Sequence, residues 1–241
     1  MTLSSTLNRP LEAELMDGLS LALPDTEQAL ADLDRVNKRL FGYHACNRTL
    51  LPRLIAGPRC QILIDLGTGS GRVSTKLRQI VLRQGVSLRV IGVDRKLSHL
   101  LFGRRRGASQ LRVVADAEAL PFRATAADWT FSNLLFHHFA SEKNGRILAE
   151  MQRVASRGAA IIDLRQALCA RGLIRLLLPL LRIGRVASYD GKLSTDQAWC
   201  LGDVRQITAS MPVEELRRRF PFRFSLVLRT GHTPRGSTRR A

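Results

Sequence analysis

The chain has 241 residues, 45% of them apolar, enough to bury one α/β core with a short accessory segment and to exclude global disorder. Its 38 basic and 20 acidic residues give a formal charge of +18, dominated by arginine, which turns the surface toward polyanions such as an anionic membrane or nucleic acid. Glu12, Glu14 and Asp17 argue against a transit peptide, and no apolar run reaches the about 18 residues of a bilayer span, so a cytoplasmic protein is expected.

Residues 1–9 are polar and read as loose. Asp25 and Gln28 make a capping pair for a helix running to about Leu40, which Gly42 breaks. A second helix, Tyr43 to Ile55, leads to Gly57-Pro58. Residues 1–57 are thus expected to form a helical lid over a domain spanning 58–230. From there apolar strands and amphipathic helices alternate. Strands are expected at Gln61–Asp65, Leu88–Val93, Leu111–Ala115, Asp128–Leu134 and Ala159–Leu164. Helices are expected at Arg72–Arg83, Leu97–Arg105 and Glu142–Ala155, the last with Ile147, Leu148, Met151 and Val154 on one face. Such alternation predicts a Rossmann-like, doubly wound α/β fold with a mostly parallel sheet. Within residues 168–184, Leu173, Leu176, Leu177, Leu180 and Leu181 form a broad apolar face with Arg171, Arg175, Arg182 and Arg185 interspersed. That pattern suits an interfacial helix or an apolar pocket wall. Residues 231–241 read as a disordered basic tail.

Ligands of doubly wound sheets sit beyond the carboxyl ends of the strands. The first strand ends in Asp65-Leu66-Gly67-Thr68-Gly69-Ser70-Gly71. The glycines let the backbone turn sharply at a helix N-terminus. Their spacing is GxGxG, with Arg72 where a dinucleotide fingerprint would continue, and an acid precedes it. A pyrophosphate would be repelled by Asp65, whereas S-adenosylmethionine (SAM), with its sulfonium and ammonium, suits an acidic strand end. The second strand ends at Asp94, an acceptor-only group able to take both ribose hydroxyls. The third is followed by Asp116, placed to accept from an adenine amino group.

With IDLGTGSGR (64–72), IGVD (91–94), DAEALPF (116–122) and the strand-then-HHF run at 131–139, residues 61–164 resemble the SAM-binding domain of class I SAM-dependent methyltransferases. The likeness is strongest to the ubiquinone/menaquinone-biosynthesis-like (type 11) group. DLR (163–165) and SYDGKLS (188–194) are similar to small methyltransferases encoded beside polyketide-synthase genes. The resemblance implies that Asp65, Gly67, Thr68, Gly69 and Gly71 cradle the methionine part of SAM. It places Asp94 and Arg95 at the ribose, Asp116 and Ala117 at the adenine, and Asn133 near the methionine or methyl group. It also implies seven strands, with residues 213–229 supplying a final antiparallel hairpin, although Val213, Leu216 and Phe220 recur at helical spacing. Ala127 departs from the group, which often has an aromatic residue there.

For the acceptor, His137 and His138 follow the fourth strand and are candidate general bases. Tyr43 and His44 on the N-terminal segment are further catalytic candidates, and Asp163 could orient a base or serve as a turn acid. No Pro-Pro-aromatic run follows Asn133, and no Pro-Cys nucleophile is present, which weighs against nucleic-acid base methylation. Cys46, Cys60, Cys169 and Cys200 share no CxxC or Cys/His spacing, so no metal site is expected. The expected activity is methyl transfer to a small hydrophobic acceptor, a phenolic polyketide or quinone precursor, with oxygen slightly preferred over carbon. Peripheral contact with an anionic membrane and a homodimer are expected as partners. The alternatives are an RNA methyltransferase with a basic surface and a catalytically inactive SAM-binding scaffold.

Overall fold

Strand β1 (Cys60–Leu66) sets the frame, because successive side chains leave opposite faces of a strand and here both faces are buried. The computed structural model describes residues 11–18, 23–38, 43–108 and 111–230. Ile64 and Leu66 pack toward α6 (Ser141–Val154), against Ile147, Leu148 and Met151. Leu63 packs the other way, against Leu77 and Val81 of α4 (Arg72–Leu82). The remaining parallel strands are β2 (Ser87–Asp94), β3 (Leu111–Val114), β4 (Ala127–Asn133) and β5 (Ala155–Leu164). β6 (Val213–Arg219) and β7 (Arg223–Arg229) form the antiparallel hairpin, with β7 against β5. The order β3-β2-β1-β4-β5-β7-β6 makes a seven-stranded, mostly parallel sheet whose direction of winding reverses between β1 and β4. That crevice is where an open α/β sheet binds its ligand.

The elements depart from their expected bounds for local reasons. α1 (Leu23–Val36) begins before Asp25, which therefore lies in its first turn beside the positive dipole end. Gln28 instead donates to Asp32 at 3.0 Å. Leu40 and Gly42, the loose residues 1–9 and the tail 231–241 fall outside the described residues. The single helix expected over 43–55 is two, α2 (His44–Thr49) and α3 (Leu51–Ile55), because Pro52 starts a new first turn. β5 starts four residues early, directly after α6. Gly158 lets it pass Trp129, whose ring atoms a Cβ would approach within 2.6 Å. The helical spacing of Val213, Leu216 and Phe220 is coincidental. In β7, Phe224, Leu226 and Leu228 face one core and Val227 the other, the period of a strand.

α5 (Leu97–Arg105), α7 (Leu168–Leu180), α8 (Arg185–Asp196) and α9 (Leu201–Ile207) complete the described α-helices, beside 3-10 turns at Leu15–Asp17 and Phe136–His138; SYDGKLS lies within α8. None of the described helices is long and apolar enough to cross a membrane.

Candidate functional site

At the carboxyl ends of β1, β2, β4 and β5 lies a cavity of about 570 Å³, within the range of small-molecule sites. Residues 11–14, Met16, α1, α7 and α8 contribute its other walls. At one end is the turn after β1, where Gly67, Gly69 and Gly71 all have positive φ. A Cβ on Gly67 would come within 2.7 Å of Leu135, so the turn lies directly on the segment after β4. Gly103 of α5 presses on the turn from outside; its Cβ would meet the Ser70 carbonyl at 2.5 Å.

Asp94 wires this end together. One carboxylate oxygen accepts from Gly69 N–H and the other from Lys96 N–H, both at 2.9 Å. A carboxylate has about four acceptor sites, so capacity remains toward the cavity that Asp94 lines. Gly67, Gly69, Arg95, Asp116 and Ala117 share that wall. Asp65, Thr68, Gly71 and Asn133 do not.

The Asp65 carboxylate points into the turn and accepts from Thr68 Oγ1 at 2.7 Å, so it braces the loop and does not line the cavity. Burial pushes its pKa up to about 6; hydrogen bonds from Ser74 and Thr68 oppose this, and the charge of Asp94 adds to it. Because the folded-state value is raised above the ordinary 3.8, this group costs stability as pH climbs from about 4 to about 6. Asp65→Asn, which keeps the shape and removes the buried charge, is expected to leave Tm at pH 7.5 unchanged or higher and to flatten its fall over that interval. Calorimetric melts at several pH values check this; a large loss at pH 7.5 would contradict it.

The other end of the cavity is built from the 3-10 turn Phe136–His138, the tip of β5 and the N-terminal segment. His137 and His138 both line it, as does Glu14, which the sequence reading did not single out. His137 Nδ1 lies 2.7 Å from Asp163 Oδ1, and Nε2 lies 3.6 Å from Glu14. Burial disfavours the charged ring, but the charges and hydrogen bonds of Asp163 and Glu14 outweigh it and push the pKa up to about 10. Both ring nitrogens of His137 thus face carboxylates, an environment that favours the protonated ring. Asp163 is fully buried and also accepts from the backbone N–H groups of Leu135, Phe136 and Leu164. It is therefore both the turn acid and the partner of the histidine.

Tyr43 and His44 stand apart. Tyr43 lines a smaller pocket with Asn37, Cys46, Asn133 and Arg223, and His44 is exposed. Neither lines the large cavity; α2 packs against β5 and β7. Arg223 lines both pockets and is 4% exposed, donating to Asn37 at 2.8 Å and Asn133 at 3.3 Å. Nothing local marks it among so many arginines; only the antiparallel direction of β7 brings its first residue to the ligand side. The leucine-rich segment divides: Ile174 and Leu178 of α7 are buried on the cavity wall, while Leu173 and Leu176 are exposed.

The fold is that of the Rossmann-like methyltransferases. Residues 64–162 match a family described as a methyltransferase domain. The chain is similar in structure to a SAM-dependent methyltransferase from Aquifex aeolicus, with a TM-score of 0.60 at 16% identity over 84% of this chain and 97% of that one. It is also similar to magnesium protoporphyrin IX methyltransferase (ChlM) from Synechocystis PCC 6803 with bound SAH (TM-score 0.57, 14% identity, 83% and 93% covered). A third likeness is to human N-acetylserotonin methyltransferase in complex with SAM (TM-score 0.60, 14% identity, 87% and 57% covered). No curated protein matches the chain.

Proposed function

We propose that the chain is a SAM-dependent methyltransferase acting on a small hydrophobic acceptor, a phenolic polyketide or quinone precursor, with oxygen preferred over carbon as the nucleophile. One observation carries this reading: a single cavity joins a glycine turn braced by Asp94 to a partly apolar far wall containing Ile174 and Leu178. The residues fit the cofactor. Gly69 has open space where a Cβ would stand, nothing coming closer than 3.8 Å, so backbone can approach a ligand there. We assign the methionine part to Gly67 and Gly69, the ribose to Asp94 with Arg95, and the adenine to Asp116 and Ala117. Asp65, Thr68 and Gly71 shape the turn from behind, and Asn133 positions Arg223.

Bound SAM supplies an activated methyl group. The chain's own part is to hold an acceptor in line, exclude water and set the protonation of the attacking atom. Alignment of this kind is worth up to about 7–11 kcal/mol in favourable cases. Leu30, Leu33, Val36, Ile174 and Leu178 offer an apolar bed for the acceptor, and His137 and His138 face it from the polar side. Tyr43 and His44 take no part in this reading. The exposed Leu173 and Leu176, beside the exposed Arg175, suit contact with an anionic bilayer from which an apolar acceptor would be drawn.

Incubation with methyl-labelled SAM and separate lipid, small-molecule and RNA fractions tests the reading. Label in apolar phenols is expected. Label confined to RNA would replace it with the nucleic-acid reading, and SAH binding without transfer to any fraction would indicate a scaffold.

A further inference from the structure

Glu14, His137 and His138 each bring one donor atom to a common point on the cavity wall, all within 4.8 Å of one another. His137 Nε2 is 3.6 Å from one Glu14 oxygen, and His138 Nε2 is 3.8 Å from the other. We propose that these three side chains form a divalent transition-metal site, for an ion of the Zn(II) or Co(II) type, with its remaining coordination positions open to the cavity. Two imidazoles and a carboxylate are the donor set of open zinc sites, and imidazole nitrogen suits Zn, Co and Ni over Mg or Ca. Metal–ligand bonds of about 2.0–2.2 Å put neighbouring donors roughly 3–3.5 Å apart; each histidine already stands near that distance from a Glu14 oxygen, and the set as a whole, within 4.8 Å, closes on an ion by side-chain adjustment.

The surroundings supply an independent reason. A metal-bound histidine characteristically gives its other ring N–H to a carboxylate, which fixes the ring and raises its basicity. Asp163 stands at that place, 2.7 Å from His137 Nδ1, and is itself held by three backbone N–H groups. The two imidazoles, consecutive in the chain, lie with centroids 4.3 Å apart in one 3-10 turn, and so reach the same point.

Glu14 is also a delivered ligand. Asp190 of α8 accepts from Leu15 N–H at 2.7 Å and Met16 N–H at 3.0 Å, Gln197 donates to the Glu12 carbonyl at 2.7 Å, and Ser194 hydrogen-bonds the Glu14 carboxylate. A short segment, residues 11–18 with a 3-10 turn at Leu15–Asp17, is thus pinned on both sides of one buried acid. In a chain of net charge +18, the carboxylates of Glu14 and Asp163 flank His137 and Glu14 also faces His138, a local field that favours a cation. The inference deepens the methyltransferase reading and, for its role, rests on it: an acceptor hydroxyl entering an open position would be oriented and made more acidic, as metal-bound water is.

The test uses tag-free full-length protein stripped with a chelator, titrated with Co(II) alone followed by visible absorption and with Zn(II) alone followed by calorimetry. One saturable equivalent is expected, with ligand-field bands and without near-ultraviolet thiolate charge transfer, because the site holds no thiolate; such a band would instead report binding at the exposed Cys60 or Cys169. Glu14→Gln and His138→Ala should each abolish the bands, and Asp163→Asn should weaken binding by about 10–100-fold. Circular dichroism and SAH binding of each variant separate metal loss from unfolding; should Glu14→Gln not fold, His138→Ala decides. No saturable Co(II) or Zn(II) uptake, or uptake unaltered by His138→Ala, would overturn the site. SAH heats in the same samples report on the methyltransferase reading separately: SAH bound without metal discards only this inference, and metal bound without SAH discards only that reading.

Discussion

Replacing Asp94 by alanine is expected to weaken SAH binding by at least about 100-fold, since hydrogen bonds to a charged group are worth about 1.5–3 kcal/mol each. Two effects combine. The ribose hydroxyls lose their acceptor, and the amides of Gly69 and Lys96 lose the carboxylate that now holds them at 2.9 Å. Asp94→Asn retains one acceptor oxygen and should fall between wild type and Asp94→Ala. Isothermal titration with SAH reads both. Binding unchanged in Asp94→Ala, or heat with NAD or ATP but none with SAH, would remove the SAM site from this end of the cavity.

Gly103→Ala is expected to lower both stability and SAH affinity, although the residue touches no ligand position. The added methyl would stand 2.5 Å from the Ser70 carbonyl oxygen and 2.9 Å from its carbon, and backbone cannot swing aside as a side chain can. Overpacking of this kind costs about 1–3 kcal/mol, which for a chain of this size lowers Tm by roughly 2–12 °C. Because Ser70 lies in the glycine turn, helix α5 would push the turn as well. Gly145→Ala in α6 is the control. It too is a helical glycine, but nothing lies within 4 Å of the new methyl, so Tm should rise slightly. Thermal melts in which both variants shift in the same direction would refute the steric account.

These two residues mark how far the sequence could be read. Asp94 was legible because an apolar run with a terminal acid names its own position at a strand end, and Asp116 and the GxGxG turn are legible for the same reason. The parallel core followed from runs such as Ile62–Asp65, buried on both faces. Gly103 was not legible, since a glycine in a helix does not announce what backbone it faces. Neither was the direction of the Asp65 side chain, which turns back on Thr68 instead of outward. Tyr43 and His44 are catalytic candidates by their place on an N-terminal segment expected to cover the pocket, and α2 sets them away from the cavity. Glu14 lies in a stretch with no periodicity, and α8, more than 170 residues later, fixes its place through Asp190. Contacts of that sequence separation leave no local trace.

The bonds from Asp94 to the glycine turn are the fold's own, made within the chain. Little of the binding energy then goes into organising the loop, because folding has already met that entropic cost. A pocket wired in advance should recognise its ligand much as a lock does. Rigidity at this end leaves adaptation to differently shaped acceptors to the other, where irregular chain and paired histidines meet.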